Sequence, residues 1–241
     1  EIDGRSTRAD FEVMIWSDLV RASMRSGILE TYAQMLRTAY IYIASGTLWR
    51  LMHLRKGPVI AALYPVVMLI GQAGVALALA YAAGSVLRLW HPSLFWLGPV
   101  LIPLVLMGFR RYDNRLFAYY LMHDYAYSAA DRGANPRALE DRLVEFKARV
   151  VAALQSDVDE VLLVGHSSGA HLAISLLADI SRSGVIQDGA PALSFLSLGQ
   201  VVPMVSFLPN AHGLRRDLKH MSAQRQITWV DVTAPGDGCT F

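Results

Sequence analysis

The chain has 241 residues, of which 54% are hydrophobic and 17% charged, with a mean hydropathy of +0.33. The hydrophobic fraction is higher and the charged fraction lower than the averages of globular proteins, as expected for a chain partly embedded in lipid. The composition therefore indicates a soluble domain with a membrane insert. The net charge of +2 is too small to indicate nucleic-acid binding. The single cysteine, Cys239, excludes an intrachain disulfide framework and is typical of a reducing compartment.

The N-terminal part, residues 1–27, contains a predicted short strand at residues 11–16. Its polar, charged start shows no cleavable signal peptide. The chain begins at Glu1 without an initiator methionine and stops at Phe241 soon after a predicted strand. We therefore expect it to be a fragment of a longer protein.

Residues 28–56 form the second predicted unit, a helix with apolar and aromatic side chains at helical spacing. These are Tyr32, Leu36, Tyr40 and Ile43. Such a Tyr-rich helix flanked by arginines lies in a membrane interface or packs as an ordinary core helix. The sequence favours neither alternative.

The third predicted unit, residues 57–110, is a pair of membrane-spanning helices. No Asp, Glu, Lys or Arg occurs from Pro58 to Leu87 or from Leu89 to Phe109, and each run is long enough to cross the hydrocarbon core. A soluble core helix is the alternative, and prolines in the second run predict a kink or a re-entrant segment. Arginines and a lysine flank the pair, whereas Arg88 alone lies between the runs, so both flanks are expected in the cytoplasm. The flanking basic residues are Arg50, Arg55, Lys56, Arg110, Arg111 and Arg115.

Residues 111–241 alternate between predicted helices and strands. Asn135 and Pro136 are typical of a helix start, with Asn135 as the cap. The helix that follows has apolar residues on one face, and the later elements are strand 161–164, helix 168–183, strand 193–198, helix 211–223 and strand 227–232. This order predicts an α/β fold with a mostly parallel sheet and flanking helices.

A Gly-x-Ser-x-Gly motif joins the first of these strands to its helix. It reads Gly165-His166-Ser167-Ser168-Gly169 and follows the apolar run Val161 to Val164. A serine displayed on such a tight turn adopts strained backbone angles, and side chains in place of the glycines are expected to collide with the turn. The pattern predicts a nucleophile elbow with Ser167 at its tip, beside the positive end of the next helix.

In these features residues 135–241 resemble the α/β-hydrolase superfamily of serine esterases and lipases, with the strand at 11–16 as an earlier member of the same sheet. The resemblance implies that Ser167 is the nucleophile and that the Ser168 backbone N–H is one oxyanion donor. It places the catalytic acid at Asp237, in the loop after strand 227–232, with Asp231 inside that strand as the competitor. The superfamily's catalytic histidine, which follows the acid, has no matching position here, and its Gly-rich oxyanion loop is absent from these residues.

The histidines of the chain suggest no other chemistry. His166 is expected to pack locally, His171 to lie one turn into the helix, His212 and His220 to lie in a pocket-forming segment, and His53 and His123 to lie near the interface. None has partners at metal-ligand spacing, and no phosphate-binding or dinucleotide glycine pattern is present. We predict neither a metal nor a cofactor.

Two functions compete at this point. The first is a membrane-anchored serine hydrolase that cleaves carboxylic esters or thioesters through an acyl-enzyme on Ser167, with an acyl lipid as the natural substrate. The second is a hydrolase-like membrane subunit that packs against a protein complex while its serine stays idle. Both have the bilayer as a partner, two spans and a cytoplasmic soluble domain.

Overall fold

A computed structural model describes residues 7–24, 27–187, 189–234, 237 and 241, so Cys239 lies outside the described residues. It is a mixed α/β structure in which helices predominate. The N-terminal helices are α1 (Ser17–Ser23), α2 (Ile28–Ala44), α3 (Thr47–Leu54), α4 (Lys56–Ala62) and α5 (Tyr64–Leu87). A 3₁₀ helix (Pro92–Val100), α6 (Leu101–Arg111), α7 (Asp113–Leu116) and α8 (Ala118–Ala129) follow. The remaining elements are α9 (Arg137–Leu154), β1 (Glu160–Ser167), α10 (Ser168–Arg182), β2 (Ala192–Gln200), α11 (Val202–Ser206), α12 (His212–Ala223) and β3 (Ile227–Val232).

The strands of the described residues form one parallel sheet in the order β1-β2-β3. Its odd-numbered positions, such as Leu193, Phe195 and Ile227, are buried against α9, α10 and α12 in the main hydrophobic core. The opposite face remains about half exposed at Leu162, Val164, Val230 and Val232, although parallel sheets are usually covered on both faces. The strands and helices predicted between residues 137 and 232 are therefore present, as a small sheet with helices on one face.

The strand predicted at residues 11–16 is wrong. Residues 7–16 have no regular secondary structure and run along α9. The Arg142 guanidinium binds the Ile15 carbonyl oxygen, and Arg149 forms an ion pair with Glu12 at 3.3 Å. Met14 and Trp16 pack on the core while Phe11 is 94% exposed. Apolar side chains of this segment are thus buried without pairing to a strand.

Two helix boundaries also differ from the prediction. The helix predicted over residues 28–56 is broken at Ser45 and Gly46, where Gly46 adopts φ +70°. Before α9, the Asn135 amide donates to the Glu140 carboxylate at 2.8 Å, and Pro136 occupies the cap position. The Asn135 side chain therefore binds Glu140 instead of capping the helix.

The two uncharged runs form an antiparallel helical hairpin of α5 against the 3₁₀ helix and α6. Candidate membrane spans are Lys56–Leu87 and Pro92–Arg111, of which only 22% and 11% are buried in their most apolar windows. At helical rises each arm is about 35 Å long, and a core helix of a soluble protein would be mostly buried. Both helices are thus long and apolar enough to cross a membrane.

Small residues form the seam of this hairpin. Ala76, Ala80 and Gly84 are buried along one face of α5. A Cβ at Gly98 would overlap the Ala80 carbonyl oxygen, and a Cβ at Gly84 would approach the Phe95 carbonyl oxygen to 2.7 Å. This is the close backbone approach by which small residues bring helices together in membranes.

The base of the hairpin packs into the layer of α2 and α8. Leu69 of α5 is fully buried against Tyr119 and Met122 of α8, and the Tyr32 hydroxyl of α2 donates to the Leu69 carbonyl oxygen at 2.9 Å. A second cluster joins this layer to the sheet: Val59 of α4 packs with Val201 and Met204, which follow β2. The carboxyl end of β2 therefore lies against the helices that precede the hairpin.

Candidate functional site

Ser167 is the last residue of β1 and directly precedes α10. Its backbone has φ +53° and ψ −121°, a combination that residues other than glycine rarely adopt and that costs about 1–3 kcal/mol. The sharp strand-to-helix turn predicted from the motif is therefore present, with the strain expected of it. Such strain persists only where the surrounding packing enforces it.

The two motif glycines differ in what they avoid. A Cβ at Gly165 would lie 2.9 Å from the Ala170 Cα atom, so β1 and α10 are too close for any side chain there. A Cβ at Gly169 would meet no other atom within 4 Å. The predicted collision is confirmed at Gly165 and wrong at Gly169, because Gly169 lies on the outer side of the first turn of α10.

Ser168 begins α10, so its backbone N–H belongs to the unpaired N-terminal turn of that helix. Its side chain points inward, where the hydroxyl donates to a carboxylate oxygen of Asp124 at 2.9 Å. Asp124 lies on α8 and is 7% exposed; burial raises the pKa of its carboxyl, and the Ser168 hydroxyl lowers it. Sequence reasoning missed Asp124, whose only signal is a carboxylate within an apolar, tyrosine-rich helix.

Asp237 lies in the segment that follows β3. Ser167 is aligned with Gln200 in the parallel register. The Gln200 side-chain amide donates to the Phe241 carbonyl oxygen at 2.8 Å, and the Phe241 N–H donates to the Gln200 carbonyl oxygen at 3.3 Å. The Asp237 N–H donates to the Ala234 carbonyl oxygen at 3.1 Å, which forms a turn. Phe241 thus attaches to Gln200, the residue aligned with Ser167, while residues 235, 236 and 238–240 are outside the described residues.

Asp231 is bound to the neighbouring strand. It is aligned with Ser197, whose hydroxyl donates to its carboxylate, and the Trp229 indole N–H donates to the same hydroxyl at 3.2 Å. Ser197 is fully buried on the helix-covered face. These contacts give Asp231 a place within the sheet, whereas Asp237 lies beyond its carboxyl edge.

The histidines occupy varied environments. His171 on α10 is 5% exposed, burial lowers its pKa to about 4, and its Nδ1 atom has no hydrogen-bond partner among the described residues. His166 is exposed on the uncovered side of β1. The others contact Trp49 (His53), Ser93 (His91), Thr31 (His123), Arg215 (His212) and Ser181 (His220). The described His, Cys, Asp and Glu residues form no group of three or more that could hold a metal ion.

The comparisons with known proteins add no family to this geometry. No family model matches the chain, and it has no significant match among curated proteins or solved structures.

Proposed function

We propose that this chain is part of a membrane-anchored serine hydrolase that cleaves carboxylic esters or thioesters. The observation that carries the proposal is Ser167 itself, at φ +53° and ψ −121° between a parallel strand and a helix. This strained turn is the setting of the nucleophile in proteins of the α/β-hydrolase superfamily, which the sequence order after residue 135 resembles.

In the proposed reaction the Ser167 hydroxyl oxygen attacks the ester carbonyl carbon while a histidine takes its proton. The Ser168 backbone N–H, at the positive end of α10, donates to the oxyanion that forms. The histidine then protonates the leaving alcohol or thiol. Next, the histidine takes a proton from water, and the water oxygen attacks the acyl carbon. The acid is released when the histidine returns the proton to the Ser167 oxygen. Asp237 orients this histidine.

The hairpin supports a site at a membrane surface. Both ends of the hairpin are flanked by basic residues, which suit anionic headgroups and favour a cytoplasmic soluble domain. Val59, in α4 at the start of the first uncharged run, belongs to the same buried cluster as Val201, which follows Gln200, the residue aligned with Ser167. An acyl ester resident in the bilayer is the substrate class that this proximity favours.

Labelling by a fluorophosphonate probe tests the proposal, because such probes react with an activated serine. The wild-type, full-length protein in native membranes is expected to label, and Ser167→Ala to lose both labelling and ester turnover, by about 10⁶-fold for the latter. Ser222→Ala is the matched control, since this serine is exposed on α12 and bonded only to Lys219 among the contacts of the described residues. An unlabelled wild-type protein contradicts the proposal.

One observation favours the second function, a hydrolase-like membrane subunit without activity. The uncovered face of the sheet leaves Leu162, Val164, Val230 and Val232 about half exposed, an apolar surface suited to another polypeptide. This reading predicts that neither wild type nor Ser167→Ala reacts with the probe, while the wild-type protein copurifies with a stable membrane complex.

A further inference from the structure

Asp124 is a buried carboxylate in the middle of α8, a helix that packs on α2 and on the base of the hairpin. Within the described part of the chain no lysine or arginine forms an ion pair with it. The hydroxyl of Ser168 is the hydrogen-bond donor to its side chain. An unpaired carboxylate is unfavourable in a protein interior, so fold stability alone does not account for this residue.

Tyr42 does not replace this contact. Burial, the neighbouring Tyr125 and the negative charge of Asp124 raise the pKa of Tyr42, and its hydroxyl donates to the Met204 carbonyl oxygen at 3.0 Å instead. The carboxylate is thus directed at the first residue of α10. The positive end of that helix favours a negative group at this position.

The position of Ser168 matters because of the peptide bond that precedes it. The Ser168 N–H lies in the plane between Ser167 and Ser168, and the ψ angle of Ser167 sets the direction in which this N–H points. At φ +53° the backbone is strained and would relax unless its neighbours held it. Packing of Gly165 on Ala170 restrains one side of the turn, and the bond from Ser168 to Asp124 restrains the other.

We infer that Asp124 is a positioning residue that holds Ser168, and with it the backbone N–H facing the oxyanion, in the orientation required at the elbow. The inference rests on the proposed hydrolase function. Asp124 makes no contact with substrate in this role and acts through Ser168. It also joins the helical layer at the base of the hairpin to the elbow directly, since α8 contacts both.

The test is the rate of fluorophosphonate labelling of the full-length protein in membranes, resolved into the maximal rate of inactivation and the probe concentration at half of that rate. Asp124→Ala is expected to lower the maximal rate about 10- to 100-fold, less than the loss of a whole oxyanion donor, and to leave the half-rate concentration within about twofold. Asp124→Asn retains an acceptor for the Ser168 hydroxyl and should stay within about threefold of wild type. Ser168→Ala should reproduce the loss, and the double variant should lose no more, since the two residues act through one contact.

Asp113→Ala is the matched control. This carboxylate is also buried and caps the same helix, accepting from the Tyr119 and Tyr120 N–H groups at 2.9 and 3.0 Å, but it has no contact with the elbow among the described residues. It should lower the melting temperature and leave the maximal labelling rate unchanged.

Four results overturn the inference, and they are distinguishable. Wild-type protein that does not label removes the proposed function and the positioning role together. Labelling of folded Asp124→Ala at the wild-type rate removes the positioning role alone. Equal losses in Asp124→Asn and Asp113→Ala, in step with melting temperature, show that Asp124 is merely structural. Should Asp124→Ala fail to fold, Ser168→Ala decides: an unchanged maximal rate overturns the inference and a reduced one supports it.

Discussion

At the scale of single residues, backbone angles separate Ser167 from other unusual positions. Among the described residues, Phe117 and Arg132 also have positive φ without being glycine. Phe117 has ψ +13° and lies in the ordinary left-handed region at a helix end, whereas Ser167 has ψ −121°. The left-handed region is a common way to end a helix, whereas the angles of Ser167 are rarely adopted by residues other than glycine and persist only where the surrounding structure enforces them.

The two aspartates near the end of the chain can be separated by mutation. We predict that Asp237→Asn lowers ester turnover by roughly 10⁴-fold, because an asparagine would hold the histidine in the wrong tautomer. Asp231→Asn should have a much smaller effect, since its carboxylate is bound to Ser197 within the sheet. Steady-state kinetics of the full-length variants measure both. The reverse ranking would assign the acid to Asp231.

His171 should make stability dependent on pH. Burial lowers its folded-state pKa from 6.5 to about 4, so the unfolded chain takes up a proton at a higher pH than the folded chain does. The associated stability is fully present above pH 6.5 and is lost as pH falls toward 4, by on the order of 3 kcal/mol. Denaturant unfolding in detergent should show this loss in wild type.

His171→Phe is the control for that measurement, since phenylalanine fills a similar buried volume without titrating. Its unfolding free energy should fall less between pH 7 and pH 4 than that of wild type. Parallel pH profiles for the two proteins would show that His171 is protonated at its ordinary pKa in the folded state.

At the scale of elements, the hairpin and the sheet depend on different forces. The sheet and its helices bury alternating apolar side chains from water, as in soluble α/β structures. The hairpin exposes most of its apolar side chains and is held by close contact at small residues. In lipid, where apolar exposure has no penalty, such packing is the main source of helix association.

The seam can be tested with two glycines of the same arm. Gly98→Ala places a methyl group against the Ala80 carbonyl oxygen, so we expect a loss of about 1–3 kcal/mol in stability from overpacking. Gly108→Ala, on α6, meets no other atom within 4 Å and should be neutral or gain up to about 1 kcal/mol in helix propensity. Thermal unfolding in detergent compares them. Equal effects would mean that the arms do not touch at Gly98.

At the scale of the whole molecule, Ser167 lies at the end of the sheet that meets the helices preceding the hairpin. Thr47 at the start of α3 donates to the Phe207 carbonyl oxygen at 3.0 Å, and Tyr42 of α2 donates to Met204. Both contacts hold the segment after β2, whose first residues adjoin the sheet edge. If the proposed function is correct, a substrate in the bilayer has a short path to Ser167.

The orientation of the hairpin is open to direct measurement. If both arms cross the bilayer, Arg55→Cys and Arg115→Cys should react with an impermeant maleimide from the same side, and Arg88→Cys at the tip from the other. Wild-type Cys239 is replaced by serine in all three variants. Labelling of Arg55→Cys and Arg115→Cys from opposite faces would show that one arm does not cross.

Local patterns of the sequence determined the parts of this protein that depend on near neighbours. The apolar run before Gly165, the helix after Ser167, the strand at 227–232 and the uncharged hairpin arms all follow from periodicity, turn chemistry and length. These features depend on residues close to one another in the chain, so the pattern of the sequence suffices to predict them.

Tertiary structure decided the rest, because it depends on partners that the sequence does not place side by side. Residues 11–16 alternate as a strand does, yet they lie along α9, where arginine side chains bind them in place of a neighbouring strand. Asp124 is separated from Ser168 by 44 positions, and only the tertiary structure brings the carboxylate within hydrogen-bond distance of the Ser168 hydroxyl. Periodicity reports which face of an element is buried but not which element covers it, and here a distant helix supplies the carboxylate that binds Ser168.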